Sequence, residues 1–210
     1  MSTPRTRRRE KLGPDAAVRR AILAAASTVV REQGIGKLSI GAVLERAALG
    51  TRAFYRHFES KDELVAALFL DMARAEERRL RRRMAPAATE IDAVAAWIDG
   101  RLDLAFDDNI RADLRRLSME AQSQSSALVQ PAYAEMLKPL SETLQRGLAS
   151  GTFHHIEPMT DAQFIHGVVW AGINQHWATG DFDRTVLRDR MLQFCLRGLG
   201  ARVAEPIEGE

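Results

Sequence analysis

Apolar residues recur at helical spacing along most of the 210-residue chain, and no strand-like alternation interrupts them. Asp15 is placed to cap a first helix running to Gln33, with Ile22, Leu23, Ala26, Val29 and Val30 as its buried stripe and Gly34 as its stop. A short second helix follows Ser39, whose hydroxyl suits an N-cap, and carries Ile40, Val43, Leu44 and Ala47 at helical spacing. Ala48-Leu49-Gly50 breaks the pattern, and Gly50 is the residue there free to take backbone angles that others resist. Thr51 to Phe58 forms another short helix. Its Phe54 and Phe58, with Leu49, face a core, while Thr51, Arg52, Tyr55 and Arg56 share the outer side. Ser60-Lys61-Asp62-Glu63 reads as the capping box of a fourth helix, which continues through Leu64, Leu68, Met72 and Ala75 to Met84.

Ala85-Pro86 ends that run, and five further helices are predicted. Thr89 to Phe106 holds Ile91, Val94, Trp97, Ile98, Leu102 and Ala105 on helical spacing, with Asp107-Asp108-Asn109 as a turn. Ile110 to Gln122 carries Leu114, Leu117 and Met119, and the QSQSS stretch after it is loop-like. Pro131, tolerated in a first turn, opens a helix to Ser150 that Pro139 should kink and Gly151 should end. Thr160-Asp161 caps a helix from Ala162 to Ala178, closed by Gly180, and Asp183 caps the last, to Gly200. Phe164, Ile165, Val168, Val169, Trp170, Ile173 and Trp177 occupy more than one face of the first of these two, and Leu187, Met191, Leu192, Phe194, Leu196 and Leu199 do the same on the second. Such helices must be covered on two sides. One side is expected on the chain's own core and the other on a twin, with Gly167 and Gly172 permitting close approach beside His176, Met191 and Phe194.

The pattern therefore predicts an all-α fold. A basic arm (1–14) precedes a three-helix domain (15–60), a helical regulatory and dimerisation domain (61–203) and a short tail (204–210). No apolar run reaches the 18 or so residues of a membrane span, and the basic N-terminus lacks the apolar segment of a secretory signal. The single cysteine, Cys195, cannot form an internal disulfide and reads as a buried small hydrophobe in a cytoplasmic protein.

Charge changes the picture more than composition does. The net charge is +2, yet residues 1–60 hold 12 Lys and Arg against 5 Asp and Glu, while residues 61–210 hold 18 against 23. The positive charge lies with the short helices, which points to a polyanion partner for that segment. The arm, with Arg5, Arg7, Arg8 and Arg9, is either a solubilising tail or a source of phosphate and minor-groove contacts. Arginines in the distal half of the fourth helix, EERRLRRRM, read as a solvated face with internal ion pairs.

Between Thr51 and Phe58 there is no acid, and the outer side presents two guanidiniums beside an aromatic hydroxyl. Two helices joined by a tight turn, the second cationic outside, have the geometry of a helix-turn-helix whose second helix enters a DNA major groove. The run T-R-A-F-Y-R-H-F-E-S-K-D-E-L resembles the signature Y-x-H-F-x-S-K-x-x-L of the TetR family of bacterial transcriptional regulators, with Tyr55, His57, Phe58, Ser60, Lys61 and Leu64 at the family's spacing. Two positions depart from it. Ala48 stands where the family usually has Gly, and Gly50 where it usually has a Ser or Thr cap, so Thr51 is expected to take over part of the capping.

The resemblance implies a dimeric, ligand-responsive DNA-binding regulator, most often a repressor, that binds a palindromic operator and dimerises through its last two helices. It puts Arg52 and Thr51 at base edges, Tyr55, His57, Lys61 and Ser39 on phosphates, Arg56 near the backbone, and makes the fourth helix the coupling element. Localisation would be cytoplasmic, on the nucleoid when bound to DNA. Trp97, Phe106, Met119, Tyr133, Met136, Leu137, Phe153, Trp170 and Asn174 are candidates for lining an effector pocket, with a small hydrophobic or aromatic ligand. No cofactor or metal is expected: His154-His155, His166 and His176 lack metal-site spacing, and there is no phosphate loop or nucleophile elbow to suggest an enzyme. The rival is a helical ligand-binding or scaffolding protein with a vestigial DNA-binding head.

Overall fold

The computed structural model describes residues 15–122, 124–180 and 183–201. The arm of residues 1–14, with Arg5, Arg7, Arg8 and Arg9, and the tail of residues 204–210 lie outside the described residues. Among the described residues there are nine α-helices, one 3-10 turn and no strand. Two compact units divide within one helix, between Leu68 and Phe69.

In the first unit, α1 (Ala16–Gln33) starts where the Asp15 carboxylate accepts the Ala17 N–H and stops at Gly34. A 3-10 turn (Ile35–Lys37) leads to α2 (Ile40–Ala47), capped by Ser39 Oγ on the Ala42 N–H at 3.1 Å. Ile22, Ala26, Val29, Leu38, Val43, Phe54, Phe58 and Leu64 close the core. The turn departs from expectation. Ala48, not Gly50, takes the left-handed conformation, with φ 51° and ψ 43°, while Gly50 sits at an ordinary φ of −86°. The bonds explain it: Ala48 N–H reaches the Glu45 carbonyl and Leu49 N–H the Leu44 carbonyl, a Schellman closure whose pivot happens to be an alanine.

A Cβ in that conformation is strained. Ala48→Gly is therefore expected to stabilise this unit by about 0.5–1 kcal/mol, whereas Gly50→Ala, with open space around its Cβ, should cost nothing. Urea unfolding of the two variants checks this, and a loss of stability in the first would show that the left-handed alanine is not strained.

The next helix, α3 (Thr51–Phe54), is shorter than the predicted Thr51–Phe58. Winding continues as tight turns, His57 N–H to the Phe54 carbonyl at 2.8 Å and Phe58 N–H to the same oxygen at 3.0 Å, so Phe54 and Phe58 still enter the core together. Gly50 precedes α3 without a side-chain cap. In α4 (Lys61–Met84), Ser60 Oγ accepts the Glu63 N–H and the Glu63 carboxylate accepts the Glu59 N–H. The predicted capping box is thus present with its return bond shifted by one residue.

In the second unit α5 (Glu90–Ala105) is central and packs against α6 (Asp108–Gln122), α7 (Ser126–Ser150), α8 (Pro158–Thr179) and α9 (Arg184–Gly198). Thr89 and Asp92 form a full capping box at its start. Two starts lie a full turn or more before the predicted ones. The α7 helix begins at Ser126, within the stretch read as loop, because Pro131 disrupts only one bond of an already wound turn. For α8 the cap is Glu157, which accepts from Thr160 N–H while Asp161 accepts from Glu157 N–H, with Pro158 in the first turn. Gly147 lies so close to the buried ring of Phe153 that a Cβ would fall 2.1 Å from it, fixing the chain's return after α7. Within α4, Arg79 pairs with Glu76 and Arg81 with Glu77, while Arg81 also reaches Glu142 of α7 and Arg83 reaches Asp103 of α5, so the expected pairing is only partly internal to the helix.

Candidate functional site

The helix-turn-helix presents its polar side outward because Phe54 and Phe58 anchor the opposite side. Thr51, Arg52, Tyr55, Arg56 and Lys61 are exposed, and Tyr55, 58% exposed, stands edge-on to the Phe54 ring at 5.3 Å. Arg52, Arg56 and Lys61 have no acidic partner among the described residues, whereas Arg46 is tied to Glu32 at 2.6 Å and is neutralised. Arg19 adds a further guanidinium over the Phe58 ring at 5.2 Å. Ser39 is exposed but its Oγ is already engaged as a cap. His57 is half-buried, with Nδ1 lacking a partner. The result is a face of uncompensated cations and hydroxyls on one short helix and the start of the next, suited to phosphate oxygens and base edges.

The second unit contains a cavity of about 460 Å³, within the range of small-molecule sites. Phe69, Met72, Leu104, Leu114, Leu117, Val129 and Met136 supply apolar wall, and Tyr133 and Trp170 aromatic wall. Three of the sequence-predicted pocket residues meet there: Tyr133, Met136 and Trp170. The others do not. Trp97, Leu137 and Phe153 are fully packed core. Phe106 instead stacks on His176 at 4.0 Å, while Met119, 59% exposed, and Asn174 lie on the surface. Spacing alone places a residue on a helix, not on the side of it that lines a void.

Sequence reasoning missed the polar end of the cavity, formed by Glu76, Arg79, Arg101 and His166. The Glu76 carboxylate accepts from Arg79 Nε at 2.7 Å, Arg79 Nη2 at 2.9 Å and Arg101 Nη1 at 2.6 Å. Burial opposes its charge, but the bonds and charges of Arg79 and Arg101 prevail and hold it below the usual carboxylate range. His166 is pushed down to about 4, first by burial and then by the charge of Arg101, so its imidazole is neutral near pH 7. The signal available in the sequence was the pair Glu76 and Arg79, an i,i+3 ion pair on the side of α4 that also carries Met72. Among the described residues no group of three or more His, Cys, Asp or Glu is placed to hold a metal ion. Burial pushes the Cys195 thiol up to about 11, leaving it protonated.

Residues 22–68, the helix-turn-helix and its buttress, match the family model described as bacterial regulatory proteins, tetR family. These residues form a TetR-family DNA-binding domain. The chain is similar to an uncharacterized HTH-type transcriptional regulator of Mycobacterium tuberculosis, 26% identical over 176 residues, covering 74% of this chain and 82% of that one; a Mycobacterium bovis relative matches equally. In fold it resembles RolR solved with resorcinol, at a TM-score of 0.67 and 20% identity over 90% of each chain. It also resembles FadR of Bacillus subtilis solved with stearoyl-CoA, at 0.64 and 19% identity, covering 86% of this chain and 98% of that one.

On the last two helices, some residues of the expected twin-facing surface have contacts within the chain. Gly172 meets its own α9: an added Cβ would lie 2.1 Å from Met191 Cε, and Met191 is buried there. His176 is spent on the Phe106 stack. Gly172 and His176 on α8, both half-buried, and the buried Met191 on α9 thus make contacts within the chain. The exposed stripe is Phe164, 66% exposed, with Gly167 and Ala171 on α8, and Val186 with Phe194, 58% exposed, on α9. No described helix is long and apolar enough to cross a membrane.

Proposed function

We propose that the chain is a repressor that binds a palindromic operator as a homodimer and leaves it when a small hydrophobic or aromatic molecule fills the cavity of the second unit. The observation that carries this is the outward face of Tyr55 with Arg52, Arg56 and Lys61, three cations without acidic partners among the described residues, on a helix-turn-helix. Residues 15–60 form the DNA-reading domain and residues 61–203 the regulatory and dimerisation domain. Arg52 and Thr51 read base edges, Tyr55, His57, Lys61 and Ser39 hold phosphates, and Arg56 lies near the backbone. Two large exposed phenylalanines on the final helices support a twin. A dimer suits a palindrome, since half-sites about 34 Å apart along the duplex match two recognition helices on a twofold axis. The cavity supports an effector, and RolR and FadR, which share the fold, were each solved with a small molecule. α4 couples the two events, its first turns belonging to one unit and the remainder to the other. Effector and DNA must then weaken each other by the same factor.

Titration of the full chain against DNA flanking its own gene, at two salt concentrations, tests the DNA reading. Affinity should fall steeply with salt as phosphate contacts release counterions. Tyr55→Ala and Lys61→Ala should weaken binding to all duplexes alike. Arg52→Ala should in addition lose about 1–3 kcal/mol of discrimination at one base pair. Undiminished affinity and preference in the Arg52 variant would remove it from the base-reading set.

A further inference from the structure

We infer that the ligand of this cavity is an apolar molecule bearing one carboxylate, the acid seated against Arg101. This rests on the cavity being the effector site. Its polar end holds two guanidiniums and one carboxylate, and Glu76 already accepts three donated bonds from those two guanidiniums. Asp103 also acts on Arg79 but already has Arg184 at 2.6 Å and Arg83 at 3.4 Å. Arg79 completes its own bonding on the Gly100 carbonyl at 2.6 Å. The positive charge left over therefore falls to Arg101, which is 7% exposed and whose Nε has no hydrogen-bond partner among the described residues.

A buried charge without full compensation is costly. His166 in the same wall does not supply the compensation, being neutral, although its Nδ1 is also without a partner. The rest of the wall, including Phe69, Leu117, Val129 and Met136, is apolar apart from the Tyr133 hydroxyl and the Trp170 indole N–H, and neither of these carries a charge. A neutral apolar ligand would leave Arg101 with only its share of Glu76, and a cation would add repulsion. A carboxylate fits: a guanidinium edge binds it with a charge-assisted bond, and its apolar remainder fills the cavity.

Octanoate and octanamide share a tail and nearly a shape, and differ in charge. Calorimetry on the full-length protein should show octanoate binding at least about tenfold more tightly than octanamide, the scale of one hydrogen bond to a charged group. Arg101→Gln should erase that preference while leaving octanamide within about twofold; circular dichroism reports whether the variant folds, and the wild-type pair decides the matter without it. Equal or tighter binding of octanamide, or no binding of octanoate, overturns the inference. DNA release separates the two levels. If octanamide alone binds and frees DNA, the effector reading stands and the carboxylate fails; if octanoate binds preferentially and DNA affinity is unchanged, the carboxylate stands and the effector reading fails.

Discussion

Phe194→Asp combined with Phe164→Asp is expected to yield a folded monomer whose operator affinity is lower by about two to four orders of magnitude. Both rings project from helices whose opposite stripes, Ile165, Val169 and Ile173 on α8 and Leu187, Met191 and Cys195 on α9, complete the chain's own core. Replacing residues that are mostly in water leaves that core intact. In the dimer the same positions would bury a charge without a partner, which defeats association. Loss of the second recognition helix then removes the multiplied affinity that two linked half-site contacts provide. Light scattering gives the mass and fluorescence anisotropy the DNA affinity. A variant that stays dimeric, or a monomer that binds as tightly as the parent, would place the self-association surface elsewhere.

Trp97→Ala is expected to lower the stability of the second unit by about 3–5 kcal/mol, from lost burial and the cavity left behind. Trp97 is wholly enclosed on the central helix α5, its ring meeting the edge of His166 at 6.2 Å. Trp170 lies only one turn of α8 beyond His166, yet it is half-buried and lines the cavity, so Trp170→Ala should cost far less stability and instead weaken ligand binding. Urea denaturation with calorimetric titration separates the two tryptophans. Equal stability losses would mean that both are core and that the cavity is not a binding site.

These two residues show where the sequence stops being informative. Helical periodicity identifies which side of α5 or α8 is apolar, and that made the all-helical architecture and the helix-turn-helix legible. It does not say whether an apolar side chain meets another side chain or a void, which depends on how α5, α7 and α8 cross. Trp97 and Trp170 were therefore indistinguishable in the sequence. The same limit applied to Gly172, whose neighbour could have been a twin helix or, as found, Met191 of its own α9. Arg101 was invisible for another reason: a lone arginine in an apolar helix gives no sign of burial until Glu76, 25 residues earlier, is brought against it. By contrast, the surface of α3 was readable because its chemistry is local. Four outward side chains on adjacent turns, with no acid among them, need only the helix itself to be brought together. The turn before it was half-readable: the break was visible, and the identity of the strained residue, Ala48, was fixed by backbone bonds that spacing does not encode.

The most direct test of a twofold, base-reading DNA-binding protein is selection from a pool of random duplexes, with the bound fraction sequenced. An enriched inverted repeat is expected, its halves centred about 34 Å apart along the duplex or a little more, with enrichment at one position lost in Arg52→Ala. Retention of random duplexes without enrichment of any sequence, or enrichment of a single asymmetric half, would contradict it.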